Sequence, residues 1–115
     1  MSNGKVKISV IMSVFNQERY LEESIKSILN QTFKDFEFII VNDACFDKSP
    51  EILEYWADKD SRIKIIANKK NIGLTKSLNR AVQEARGEYI ARQDADDISL
   101  PERFEKQALF LDNNQ

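Results

Sequence analysis

Three carboxylates fall within four positions of this chain. Asp94, Asp96 and Asp97 close the run Gly87-Glu88-Tyr89-Ile90-Ala91-Arg92-Gln93-Asp94-Ala95-Asp96-Asp97, with Pro101 just beyond. Carboxylates that near repel one another, so a fold that gathers them is served by a cation between them. An Asp-x-Asp tripeptide alone also arises in solvated loops and helix caps, so the run gains meaning only from what else reaches the same place. The chain has no histidine and a single cysteine, Cys45. Ser-His and Cys-His nucleophiles, His-ligated metals, an internal disulfide and a cysteine zinc cage are thereby excluded. Carboxylates, amides and backbone remain, an inventory that suits a hard cation such as Mg²⁺ or Mn²⁺. The chemistry within reach is metal-assisted handling of phosphate.

The elements that must position these residues follow from hydrophobic periodicity. Val6 to Val14 is a β-branched run that becomes almost continuously apolar, as in a strand covered on both faces. Phe15-Asn16-Gln17-Glu18 breaks it, with Asn16 or Gln17 near a helix cap, and Leu21, Ile25, Ile28 and Leu29 then recur at helical spacing. Phe36 to Val41 is a second strand ending in Asn42-Asp43. Ser49 as N-cap and Pro50 in the first turn predict a second helix, which buries Ile52, Leu53 and Trp56. Arg62 to Ile66 is a third strand. Leu74, Leu78, Ala81, Val82 and Ala85 form the stripe of a third helix, closed by Gly87 as a left-handed C-terminal residue. Tyr89 to Arg92 is a fourth strand. Ser99 and Glu102 have capping-box spacing, and Phe104, Ala108 and Leu111 share a face of a last helix. Four strands alternating with four helices predict a doubly wound, Rossmann-like three-layer α/β/α domain with a mostly parallel sheet and right-handed crossovers.

With 115 residues, 42% hydrophobic and 31% charged, the composition is that of one globular domain. Seventeen basic against 19 acidic residues give a net charge of -2. No block of like charge points to nucleic acid or anionic lipid. No apolar run approaches the roughly 18 to 20 residues of a membrane span, and Met1 to Lys5 lacks the apolar core of a secretory signal, so a cytoplasmic chain is expected.

In parallel doubly wound sheets, ligands bind beyond the carboxyl ends of the strands, near the point where strand order reverses. The residues that follow the strands should therefore share one rim. They are Phe15, Asn16 and Glu18 after the first, Asp43 and Asp47 after the second, Asn71 and Gly73 after the third, and Asp94, Asp96 and Asp97 after the fourth.

The order Val10-Ile11-Met12-Ser13-Val14-Phe15-Asn16, Ser27-Ile28-Leu29-Asn30-Gln31-Thr32-Phe33, Ile40-Val41-Asn42-Asp43, Asn71-Ile72-Gly73, then Gly87-Glu88-Tyr89-Ile90 with Asp94-Ala95-Asp96-Asp97 and Pro101, resembles a family 2 glycosyltransferase. The resemblance runs from Lys7 to about Leu111. It implies a GT-A type nucleotide-diphospho-sugar transferase fold, a UDP-sugar donor, Mn²⁺ or Mg²⁺, and transfer with inversion to an acceptor glycan or lipid-linked saccharide. Val14, Phe15 and Asn16 would lie at the base or ribose with Glu18 near, and Asp43 would take a hydrogen bond from the base. Asn71, Gly73 and the start of the third helix would approach the nucleotide, with Lys76 a further phosphate contact. Asp94 and Ala95 would sit by the ribose, and Asp96, with Asp94, would hold the metal.

Three positions depart from the family's pattern. Asn42 stands where an Asp is common, Ala44-Cys45-Phe46 replaces a small flexible turn, and Gln93 replaces an apolar residue. The resemblance also implies that the acceptor site and catalytic base lie beyond residue 115. Residues 1–115 would then be the donor-binding part, inactive alone and able to self-associate through an exposed sheet edge. Two other classes are compatible with such a domain: a non-catalytic nucleotide-binding module, and a phosphoacceptor signalling domain. The latter wants an acidic pair after the first strand, where Phe15-Asn16 stands.

Overall fold

The structure, a computed structural model, describes residues 6–114. Met1 to Lys5, read above for a signal segment, lie outside the described residues. Strands and helices alternate strictly: β1 (Ile8–Val14), α1 (Leu21–Leu29), β2 (Phe36–Asn42), α2 (Ser49–Lys59), β3 (Ile63–Ala67), α3 (Leu74–Glu84), β4 (Tyr89–Arg92) and α4 (Arg103–Asn113). The strands form one parallel sheet in the order β3-β2-β1-β4. The chain thus winds outward from β1 to β3, then crosses back to place β4 on the other side of β1. Strand order reverses between β1 and β4.

Period-two alternation sorts the strand residues between two helical layers. Val10, Met12, Val14, Phe36, Phe38 and Ile40 pack against Leu21, Ile25 and Ile28 of α1, Leu53 of α2, and Phe104 and Ala108 of α4. Ile11, Ile39 and Val41 turn the other way, against Leu78 and Ala81 of α3 and Ala85 just after it. The Phe36 and Phe104 rings meet edge to face with centroids 5.6 Å apart, which ties α4 to the sheet. Each such large side chain, fully buried, contributes about 1.5–3 kcal/mol through removal of apolar surface from water. The three-layer, doubly wound α/β architecture read from the sequence is the one observed.

Local details differ where a side chain has a better partner. Ser49 does not cap α2, because its Oγ accepts the Gln17 N–H at 3.0 Å; the Asp47 carboxylate instead accepts the Ser49 N–H at 2.8 Å. The capping box before α4 is not formed either, since Ser99 Oγ donates to Gln93 and accepts from Arg103. Neither Asn16 nor Gln17 caps α1, which starts after Tyr20; Asn16, at φ 53°, accepts the Phe46 N–H instead. Leu74, Val82 and Leu111 are exposed rather than part of the buried stripes. Gly87 is not in the left-handed region, which among the described glycines holds only Gly73 at φ 92°. A glycine stands at 87 for close approach: a Cβ there would lie 2.5 Å from Ser9 N and 2.6 Å from Ser9 Oγ.

Candidate functional site

The strands end unevenly, and that makes the cleft. β1 and β2 run level, with Val14 opposite Asn42, whereas β4 leaves the sheet at Arg92 opposite Ile11. The chain that follows β4 is free to curl beside the last residues of β1, where the strand order reverses. A cleft of about 430 Å³ opens there, lined by residues from all four strand ends: Ser13 and Phe15, Asp43, Asn71 and Gly73, and Arg92 with Asp94, Ala95 and Asp96. A groove of about 540 Å³ along β4 and α4 is larger, but it carries Asp97 and none of the residues that follow β1, β2 or β3. Of these two, it is the cleft that joins the rim.

Its floor is set by Asp43, which is 1% exposed. One carboxylate oxygen accepts the Ile72 N–H at 2.8 Å and Asn68 Nδ2 at 2.9 Å; the other accepts the Gly73 N–H at 3.0 Å and Asn71 Nδ2 at 3.1 Å. Burial pushes this carboxyl up, but the donors from Ile72, Asn68 and Gly73 outweigh it and hold it below the ordinary aspartate range. Two carboxylate oxygens offer about four acceptor positions, and the loop from β3 to α3 fills them. Asp43 is thus the clamp of that loop, a role the sequence did not disclose, and a base N–H would have to share an oxygen with Asn71 or Gly73. The clamp turns the start of α3 toward the cleft. Gly73 has no side chain with which to cap this helix, and Gly73 and Leu74 line the cavity, so the N-terminal end of the helix faces it.

The opposite wall is the acidic loop. One carboxylate oxygen from each of Asp94, Asp96 and Asp97 lies within 4.8 Å of the others, an all-oxygen set that fits a hard divalent cation. The exposed Arg92 Nε sits 2.9 Å from Asp94 Oδ1, a pair open to water and worth at most ~1 kcal/mol. A cation could displace it cheaply.

The remaining expected site residues divide into two groups. Phe15, Asn71, Gly73 and Ala95 line the cleft beside the aspartates. Val14 is buried in the core and offers only its carbonyl, which accepts the Asp43 N–H at 2.9 Å. Asn16 holds the loop after β2, and the Glu18 N–H donates to Asp47 at 3.1 Å, while neither side chain lines the cavity. Lys76 is exposed and also lies off it. Ser13, Gln17, Leu74 and Arg92 line the cleft without having been singled out. Ser13 and Arg92 sit on the α3 side of β1 and β4, a parity that the positions of the strands in sequence could have supplied.

Comparison with known proteins places the chain in a family. The sequence pattern of glycosyl transferase family 2 matches residues 9–115. EpsE of Bacillus subtilis is 48% identical over 114 residues, 98% of this chain and 41% of that protein. The O-antigen biosynthesis glycosyltransferase WbnJ of Escherichia coli is 44% identical over 110 residues, 93% of this chain and 42% of that protein. The chain therefore spans about two fifths of the length of these curated relatives. S. aureus TarS 1-349 in complex with UDP-GlcNAc superposes with a TM-score of 0.87 at 32% identity, over 93% of this chain and 31% of that one. A mannosyltransferase of Pyrobaculum calidifontis, in complex with GDP-Man and Mn2+, shares the fold with a TM-score of 0.75 at 24% identity, over 84% of this chain and 29% of that one. Since the matched pattern runs from β1 through α4 and takes in every loop of the rim, the chain belongs to glycosyl transferase family 2.

Proposed function

We propose that this chain is the donor-binding part of a glycosyltransferase that uses a nucleotide diphosphate sugar, with UDP as the nucleotide. The observation that carries the reading is the meeting, in one cleft at the strand-order reversal, of the Asp43-clamped loop, the start of α3 and the acidic loop. The S. aureus TarS complexes with UDP and UDP-GlcNAc, at 32% identity, support the choice of uridine.

Phe15 is 42% exposed at the cleft and offers a ring face to a planar base. The start of α3 directs its partial positive charge at an anionic group between base and sugar. Asp94 and Asp96 would hold Mn²⁺ or Mg²⁺, with Asp97 within reach, and the ion would neutralise charge on the departing diphosphate. Transfer with inversion needs a base on the acceptor hydroxyl, opposite the leaving nucleotide. We place that base, and the glycan or lipid-linked acceptor, outside residues 1–115. These residues then bind donor without transferring sugar, and the whole protein serves glycan or surface polysaccharide synthesis.

Calorimetric titration with UDP in the presence of Mn²⁺ tests the site. Saturable heat from the parent chain, and binding at least ~10-fold weaker in Asp96→Ala, is the expected result. No heat from the parent, or equal heat from both, overturns the proposal.

A further inference from the structure

Gln93 is the one departure at the site that the donor reading leaves without a purpose: a polar side chain at the mouth of the acidic loop, only 2% exposed. Its amide is fully used. Nε2 donates to the Asp97 carbonyl at 2.7 Å and to Ser24 Oγ at 3.0 Å, and Oε1 accepts from Ser99 Oγ at 2.7 Å and Arg103 Nη1 at 3.0 Å. Ser24, fully buried in α1, donates in turn to the Asp94 carbonyl at 2.9 Å. The two partners Asp97 and Asp94 are the ends of the turn that presents the carboxylates, itself closed by the Asp97 N–H on the Asp94 carbonyl at 3.0 Å. An amide with two donors and a two-lone-pair oxygen is the side chain that can grip both ends from below while also holding Ser99 and Arg103.

Resting on the donor-site reading above, we propose that Gln93 is a positioning residue that, through Ser24 and the Asp97 carbonyl, fixes the Asp94-Ala95-Asp96-Asp97 turn so that its carboxylates share one cation. It does not touch the cation or the donor. Three like charges gathered within a few ångströms will spread unless the backbone beneath them is held, and here buried side-chain hydrogen bonds hold it alongside Ala95, which packs into the core. Loosening them lets the carboxylates separate, which lowers affinity for the ion by about 10-fold or more, as for other groups that orient ligands from behind. Nucleotide contacts on the β1, β2 and α3 side of the cleft are untouched.

The test is the gain in UDP affinity that Mn²⁺ confers, measured by calorimetry with and without the ion in the full chain. Gln93→Leu, close in volume, should lose most of that gain, about 10-fold, while its metal-free affinity stays at the parent's. Ser24→Ala, which removes one arm and keeps a good helix former, should lose a smaller part. The double variant should lose less than the sum of the two single losses, because both act on one network. A Gln93→Leu chain with the parent's Mn²⁺-dependent gain refutes the inference. Should that variant not fold, an unchanged gain in Ser24→Ala refutes it equally. A parent chain that gains nothing from Mn²⁺ overturns the donor-site reading itself, an outcome distinct from equal gains in parent and variants.

Discussion

Replacing Asp43 with Asn separates a loop clamp from a ligand contact. The carboxylate accepts four hydrogen bonds, two on each oxygen, and is 1% exposed. In Asp43→Asn the retained oxygen can still serve Ile72 and Asn68, but the new NH₂ faces the Gly73 N–H and the Asn71 amide, donor against donor. Hydrogen bonds to a charged acceptor contribute about 1.5–3 kcal/mol each, and an unmatched buried donor costs about 1–3 kcal/mol. Water can reach part of the Asn71 to Gly73 loop, so a net loss of ~2–4 kcal/mol is expected, a large share of the ~5–15 kcal/mol typical of a domain. The pH dependence has a fixed sign. A carboxyl held below its unfolded value stabilises above that value and ceases to as pH falls through the native pKa. The gap between parent and variant should therefore be full at neutral pH and narrow below about pH 4. Urea denaturation across pH measures this, and amide exchange at Ile72 and Gly73 should quicken in the variant. A variant within ~0.5 kcal/mol of the parent at pH 7, with both amides exchanging at parental rates, would refute the clamp.

Substitutions at two further positions address the scaffold. Gly87→Ala should cost ~1–3 kcal/mol in denaturation, since its Cβ would lie 2.5 Å from Ser9 N. Gly87→Asn should be no milder, because Gly87 is not in the left-handed region that asparagine tolerates. At the far end of the strands from the cleft, buried Glu37 accepts Ser9 Oγ at 2.6 Å, the Arg86 N–H at 2.7 Å and Lys64 Nζ at 3.0 Å. Burial pushes that carboxyl up and these partners more than reverse it, so its contribution is present above about pH 4.3 and lost as pH falls below. Glu37→Gln should lose ~2–3 kcal/mol at pH 7 by denaturation while UDP binding is unchanged.

Periodicity and strand-end chemistry made the fold and the position of the rim legible in the sequence. The almost continuously apolar run to Val14 marked a strand covered on both faces, and the runs ending at Phe15, Asp43 and Asp94 pointed to one edge. Hydrogen-bond partners far away in sequence were not legible. Ser49 and Ser99 have the right type and spacing for caps, yet Gln17, Gln93 and Arg103 claim their hydroxyls. Gly87 sits where helix-ending glycines stand, but its purpose is the approach of Ser9, a contact between residues 78 positions apart. Gln93 stands where an apolar residue is common and is buried all the same, because it has four partners, Ser24 from α1 and Asp97, Ser99 and Arg103 from the chain that follows it. Asp43 looked free to meet a base because nothing local shows that the loop after β3 folds back on it.

The most direct measurement is a crystal of the chain soaked with UDP and Mn²⁺. The pyrophosphate should lie in the cleft between the ends of β1 and β4, with the ion on Asp94 or Asp96 and the uracil beside Phe15. Nucleotide seated in the groove along β4 and α4, or an ion bound away from Asp94 and Asp96, would contradict the donor site proposed for this chain.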